Sequence, residues 1–342
     1  MSAPNQKTLR RIYVKIFDMI IITGGAGFIG SVLLWKFNEL GRKDILIVDQ
    51  KAKGSAKWAN VQKHEFESYL ESDEFITRLE KGEFNGRINA VFHMGACSDT
   101  TEMDRAYLRE NNSVYSERIA RWCVDQKVYL SYASSAAAYG AGEKGFSDED
   151  SLTPQLKALN PYGQSKLDFD IWVLKNNFQK QITGFRFFNV YGPNEYHKGA
   201  MRSVVHKGFE QISASGKIRL FKSYKKEYPD GGQKRDFVYA KDVADALIWF
   251  WHHPEIKGIY NLGSGKAQSW NELAEALFHA CGKKKHIEYF EMPEEIKNHY
   301  QYFTEADLKK FRLSGCPVVF LNLEHGVADY AHNYLVKKDP TL

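Results

Sequence analysis

The feature that most constrains this chain is a short apolar run that breaks into glycines. Ile20-Ile21-Ile22 is β-branched throughout, as suits a strand buried on both faces. Gly24-Gly25-Ala26-Gly27-Phe28-Ile29-Gly30 follows at once. Ile29, Leu33, Phe37 and Leu40 then recur on one helical face, closed by Gly41. The chain must turn tightly at Gly24, and Gly30 must let the new helix pack closely on the strand. Free N–H groups at such a helix start favour an anion, and Gly27 leaves room for a pyrophosphate to reach the backbone. A second buried run, Ile45-Leu46-Ile47-Val48, ends on Asp49 about 20 residues on. The expectation is a dinucleotide site.

Residues 90–93, 128–133, 184–190, 236–239 and 258–262 read as further strands. Asn160 and Pro161 are the cap and first position of a helix, and Ser269-Trp270-Asn271-Glu272 is a capping box. Strands alternating with helices predict an α/β fold, a Rossmann-type doubly wound parallel sheet with a smaller α/β C-terminal substrate domain. The expected division is 19–189 plus about 236–262 for the dinucleotide domain, and about 190–235 plus 263–335 for the substrate domain. Residues 1–18 are basic, lack a signal-peptide core, and are expected to be a leader outside the fold.

Composition excludes several classes. No apolar stretch approaches the ~20 residues a membrane helix needs. The net charge of +5 is spread along the chain, unlike a nucleic-acid binder, though a small positive excess suits a phosphate-bearing ligand. Cys97, Cys123, Cys281 and Cys316 form no CxxC pair, so neither a metal site nor a disulfide framework is expected. Reduced thiols in a cytoplasmic protein are the simplest reading.

The chemistry is expected at Tyr162-Gly163-Gln164-Ser165-Lys166. Spacing i, i+4 puts phenol and ammonium on one helix face. An ordinary tyrosine, with pKa ~10, is too weak a base at neutral pH. A nearby ammonium and an oxidised nicotinamide would favour phenolate, so that Tyr162 takes a proton from a sugar hydroxyl as hydride leaves the adjoining carbon. Lys166 would also hold the nicotinamide ribose. Ser134-Ser135 ends the preceding strand; Ser135 is preferred as the donor to the reacting oxygen. For the cofactor, Asp49 suits the ribose 2′-OH of NAD, while Gln50, Lys51, Lys53 and Lys57 offer cations for a 2′-phosphate. NADP, tightly bound, is expected over NAD.

Together with Arg235-Asp236-Phe237-Val238, these elements resemble the extended short-chain dehydrogenases that modify nucleotide sugars. More specific segments are similar to the ADP-L-glycero-D-manno-heptose 6-epimerase family: Gly95-Ala96-Cys97-Ser98-Asp99-Thr100-Thr101-Glu102, Arg186-Phe187-Phe188-Asn189-Val190-Tyr191-Gly192-Pro193, His197-Lys198-Gly199, and Tyr300 with residues 303–308. The resemblance runs from Met19 to near the C-terminus. It implies epimerisation at C6″ of an ADP-linked heptose by transient oxidation and re-reduction, for lipopolysaccharide inner-core synthesis. It implies Lys198 as a second acid/base opposite Tyr162; from residue chemistry alone, Lys198 could equally be a phosphate contact or a solvated charge. It further implies cofactor contacts at Phe28, Ile29, Asp49, Gln50, Lys57, Gly95, Ala96, Cys97, Ser98, Asp99, Asn112, Lys166, Val190 and Lys198. Substrate contacts are implied at Asn189, Ala200, Lys207, Phe221, Lys222, Ser223, Arg235 and Tyr300. Arg235 has an independent case, since a guanidinium grips a pyrophosphate bidentately. A homo-oligomer, often pentameric, is also implied.

Three positions depart from that pattern. Ala138 replaces a Thr, which would remove a hydroxyl close to the reacting sugar. Ala200 replaces a Ser, and Lys207 stands where a His is expected. The nearest alternative is a UDP-hexose 4-epimerase, which shares Ser135, Tyr162 and Lys166 but not the segments at 95–98 and 197–199. A catalytically silent dinucleotide sensor is a more distant one, and the retained Tyr162 and Lys166 argue against it.

Overall fold

The computed structural model describes residues 19–297 and 300–342, so the expected leader over 1–18 lies outside the described residues. Seven parallel strands form the main sheet. They are β1 (Met19–Thr23), β2 (Ile45–Asp49), β3 (Ser68–Glu71), β4 (Ile88–His93), β5 (Tyr129–Ser135), β6 (Thr183–Phe187) and β10 (Gly258–Leu262), in the order β10-β6-β5-β4-β1-β2-β3. The order reverses between β1 and β4, which opens a crevice at their carboxyl ends. β3 has no counterpart among the expected strands. It is a short edge strand with little full burial, so its sequence lacks the apolar run that marks β1 and β2.

The helix after the glycine turn, α1 (Phe28–Glu39), buries Val32, Leu33, Leu34 and Phe37 completely. It has sheet on one side and the late helix Ala240–His252 on another, so its apolar surface is wider than one stripe. Leu40 departs from expectation. It is the C-cap, is half exposed, and precedes Gly41 at φ +75°. Further helices are α2 (Ser72–Glu80), α3 (Tyr115–Gln126), α4 (Pro161–Lys175), α5 (Val204–Ser215), α6 (Ala240–His252), α7 (Trp270–Ala280) and α8 (Leu323–Tyr330). Asn160 caps α4 by accepting the Gly163 N–H at 2.7 Å, and the Ser269/Glu272 capping box starts α7.

The single strand expected over 184–190 is two strands in two sheets. After β6 the chain breaks at Phe188, whose N–H goes to the Leu262 carbonyl. It then continues as β7 (Asn189–Tyr191) in a small sheet ordered β11-β9-β7, with β9 (Lys234–Tyr239) and β11 (Ala267–Ser269). Thus 236–239 pairs with β7 and β11, not with the large sheet, whereas α6 and β10 lie with the large sheet. β8 (Ile218–Phe221) and β12 (Ile287–Phe290) form a further parallel pair. A separate apolar cluster of α5, α7, α8 and the small sheet supports this end of the molecule. No helix among the described residues is long and apolar enough to cross a membrane.

Candidate functional site

A cleft of about 1380 Å³ opens at the β1/β4 reversal and runs toward the small sheet. Its floor is the glycine loop. Gly24 sits at φ +64°, and a Cβ there would lie 2.6 Å from the Gly95 Cα, so both loops at the crevice need bare backbone. A Cβ on Gly30 would come within 2.2 Å of the Gly24 carbonyl oxygen. That glycine therefore lets the helix close on its own entry turn more than on the strand. Gly27 is the N-cap of α1 and supplies no side-chain cap, which leaves the first N–H groups of the helix facing the cleft. Bare backbone on both loops and an uncapped helix start fit a dinucleotide pyrophosphate.

At the far end of β2, Asp49 is almost buried and fully engaged. Its Oδ2 accepts the Ala26 N–H at 2.9 Å; its Oδ1 accepts the Gln50 N–H at 2.7 Å and the Lys57 ammonium at 2.6 Å. Lys57 also donates to the Gln50 carbonyl. Lys53 is turned away, over the rings of Tyr69 and Trp58. Of the expected cationic cluster, Lys57 is the member in the cleft wall beside Asp49 and Gln50.

Gly95, Ala96, Cys97, Ser98 and Asp99 line the cleft after β4. Burial pushes the Cys97 thiol up, which argues against a nucleophile there. Asn112 does not line the cleft. Its carboxamide spans the Cys97 N–H (2.8 Å), the Cys97 carbonyl (3.0 Å) and the Ser165 hydroxyl (2.9 Å), tying this segment to α4. His93, at the end of β4, is buried between the Thr23 and Ser116 hydroxyls; burial pushes its pKa down to about 3, so it is neutral.

The end of β5 and the start of α4 bring Ser135, Tyr162 and Lys166 together at the cleft. Both serines border the cleft, but their hydroxyls part: Ser134 donates to Asp170 at 2.9 Å behind the strand, whereas Ser135 is partly open and interacts with the Tyr162 phenol. The expected lowering of that phenol by Lys166 is not found. Burial pushes Tyr162 up, with the hydrogen bond from Ser135 pulling the other way. Lys166 spends its ammonium on the Ala133 carbonyl at 2.9 Å, and burial lowers its pKa to about 8. Ala138 also departs from expectation. It is fully buried in the core, while Ala136 and Ala137 line the cleft, so no sugar-facing hydroxyl is lost there.

Lys198 reaches the same cleft from the turn Tyr196–Met201, 5.6 Å from the centre of the Phe28 ring. Burial lowers its pKa, opposed by Glu195. Glu195 is itself buried, and both the N–H and hydroxyl of Ser203 donate to it. Asn60, which no sequence signal marks, donates to the Ala26 carbonyl at 3.0 Å and the Asn194 carbonyl at 3.1 Å. It thereby joins the glycine loop to the Lys198 segment.

Toward the small sheet, Asn189, Val190, Arg235, Phe237, Trp270 and Tyr300 complete the wall. The Arg235 guanidinium is buried 5.1 Å from the Tyr300 ring centre and 5.7 Å from that of Trp270. Phe221 stands behind Tyr300, edge-on at 6.1 Å, and does not line the cleft. Lys222 pairs with Glu291, Ser223 is held by Asp230 and Lys225, Ala200 is exposed, and Lys207 donates to the Ala200 carbonyl. The cleft wall does not include these four either. No cluster of three or more His, Cys, Asp or Glu among the described residues could hold a metal ion.

Comparison with known proteins agrees with this layout. Residues 20–263 match the NAD dependent epimerase/dehydratase family. An ADP-L-glycero-D-manno-heptose-6-epimerase of Nitratidesulfovibrio vulgaris is 47% identical over 324 residues, covering 95% of this chain and all of the relative. One from Fusobacterium nucleatum is 46% identical over 335 residues, with 95% and 100% coverage. The crystal structure of Helicobacter pylori ADP-L-glycero-D-manno-heptose-6-epimerase superposes with a TM-score of 0.77 at 28% identity, covering 93% of this chain and 96% of that one. A Thermus thermophilus UDP-glucose 4-epimerase structure shares the fold at a TM-score of 0.71 and 23% identity, with 91% and 97% coverage. The chain belongs to the NAD dependent epimerase/dehydratase family and, within it, to the ADP-L-glycero-D-manno-heptose-6-epimerases.

Proposed function

We propose that this enzyme, an epimerase with a nicotinamide dinucleotide cofactor, converts ADP-D-glycero-D-manno-heptose to ADP-L-glycero-D-manno-heptose, for lipopolysaccharide inner-core synthesis. The observation that carries the reading is the convergence of two proton-transfer groups, Tyr162 and Lys198, from separate segments onto one cleft floored by the glycine loop. One such group suffices for a simple dehydrogenase; a second, reaching the cleft from another segment, can serve the substrate in the opposite orientation, as inversion at C6″ would use it.

The glycine loop, Asp49 and Lys166 would hold the nicotinamide dinucleotide, which would supply reversible hydride transfer at C6″. Tyr162 and Lys198 each hold or release the C6″ hydroxyl proton in one orientation. Ser135 donates to the reacting oxygen. Burial of both Lys198 and Lys166 lowers the cost of a neutral amine, which suits Lys198 to accept a proton. Arg235 grips the substrate pyrophosphate, between the faces of Tyr300 and Trp270. NADP is the preferred cofactor because Lys57 stands at the Asp49 carboxylate, where a 2′-phosphate would arrive. A cytoplasmic location and a homo-oligomeric, pentameric assembly belong to the same reading, as does a division into a dinucleotide domain and a substrate domain, with 236–239 placed by its pairing on the substrate side.

The test is to incubate the protein separately with ADP-D-glycero-D-manno-heptose and with UDP-hexoses and to follow the products by NMR. C6″ inversion of the heptose is expected. Turnover of UDP-hexoses alone would overturn the assignment.

A further inference from the structure

Successive side chains of a strand point to opposite faces. At the end of β5 this sends Ser135 toward the cleft, and sends Tyr132 and Ser134 the other way. Both of those end on Asp170: the Tyr132 phenol donates to Oδ1 at 3.0 Å and the Ser134 hydroxyl to Oδ2 at 2.9 Å. Asp170 is completely buried and lies one turn beyond Lys166 in α4. Arg186 of β6 donates its Nε–H to Asp170 Oδ2 at 2.8 Å and is equally buried. Between the two braced residues stands Ala133, whose carbonyl takes the Lys166 ammonium. One carboxylate thus joins the strand that carries Ser135 to the helix that carries Tyr162 and Lys166.

We propose that Asp170 is a positioning residue for the reaction, fixing the end of β5 against α4 so that Ser135, Tyr162 and Lys166 keep their mutual placement, and keeping a negative charge beside Lys166. The proposal rests on reading these three residues as the chemical centre. The groups acting on Lys166 support it. Asp170 and Tyr162 lie on its own helix, Cys97 faces it from the loop after β4, the Ala133 carbonyl from β5, and neutral His93 from the end of β4; Arg186 is paired with Asp170. Burial drives Lys166 down to about 8, and Asp170 is the largest influence opposing it. Removing that charge must lower Lys166 further, so its proton is lost at lower pH.

Removing Asp170 alone would strand a buried guanidinium. The test therefore pairs Asp170→Asn/Arg186→Gln, which removes both charges, with Ser134→Ala, which removes a single brace. Lys166 is titrated in the cofactor-free protein by NMR of its 15N-labelled ammonium, and kcat, KM and NADP affinity are measured across pH. In the double variant the Lys166 midpoint should fall below the wild-type value, and the alkaline limb of kcat should move down with it. In Ser134→Ala, kcat should fall about threefold to tenfold with KM unchanged and the Lys166 midpoint in place. A folded double variant whose Lys166 titrates as in wild type, or a Ser134→Ala enzyme with wild-type kcat, overturns the proposal. Failure of the wild type to epimerise would strike the functional reading instead, because the Lys166 titration does not depend on turnover.

Discussion

Replacing Lys57 by alanine should shift cofactor preference from NADP toward NAD. In the structure the Lys57 ammonium lies 2.6 Å from Asp49 Oδ1, and Asp49 has no oxygen free, since Oδ2 takes the Ala26 N–H. Each unit of charge on a 2′-phosphate arriving ~4 Å from that ammonium would interact by about 4 kcal/mol at an effective dielectric of about 20. After desolvation a charge-assisted hydrogen bond nets about 1.5–3 kcal/mol. Loss of Lys57 should therefore raise the Kd for NADP by about 10- to 150-fold. It should also uncover an unpaired Asp49 carboxylate, which repels a phosphate and accepts from a ribose 2′-OH, so NAD affinity should hold or improve. The fold should survive, because Asp49 keeps the Ala26 and Gln50 N–H groups as partners and stands in the cleft wall, where water can reach it once Lys57 is shortened. Calorimetric titration of both cofactors, at low and high salt, reads the effect directly; the NADP loss should shrink at high salt. Equal losses for the two cofactors, or an unchanged NADP affinity, would refute the reasoning. Wild-type protein that binds NAD at least as tightly as NADP would refute it as well.

The other predictions are more direct. Tyr162→Phe and Lys198→Met should each lower kcat by about 10²- to 10⁴-fold, with NADP affinity, followed by fluorescence, changed only a fewfold; full activity in either variant would demote that residue to a bystander. Gly30→Ala places a Cβ 2.2 Å from the Gly24 carbonyl oxygen, so it should cost about 1–3 kcal/mol in stability and weaken NADP binding, both measurable by thermal melts with and without cofactor. His93 is held far below its ordinary pKa, at about 3, so the unfolded chain binds the extra proton between about pH 6.5 and 3. Its stability contribution is therefore complete above about pH 6.5 and is lost as pH falls, by up to about 1.4 kcal/mol per unit. Melting wild type and His93→Gln from neutral to acid pH should show a shallower slope in the variant, and parallel slopes would count against the burial argument.

Local chemistry determined much of this protein before any contact was known. The Ile20–Ile22 run, the glycine turn and the α1 pattern are features of neighbouring residues, and backbone sterics and helix periodicity suffice to read them. The same holds for the Asn160 and Ser269 caps, and for the i, i+4 spacing of Tyr162 and Lys166. Family resemblance supplied Lys198, whose residue type alone left its role open. Tertiary structure decided what depends on partners distant in sequence. It broke 184–190 into two strands because Phe188 pairs with Leu262, and it turned Ala138 into the core. It gave Lys53 to a pair of aromatic rings and left Lys57 on Asp49. It separated Ser134 from Ser135 through a carboxylate 36 residues away. It also set the proton affinities, because burial, which no local pattern encodes, dominates those of Tyr162, Lys166 and Lys198.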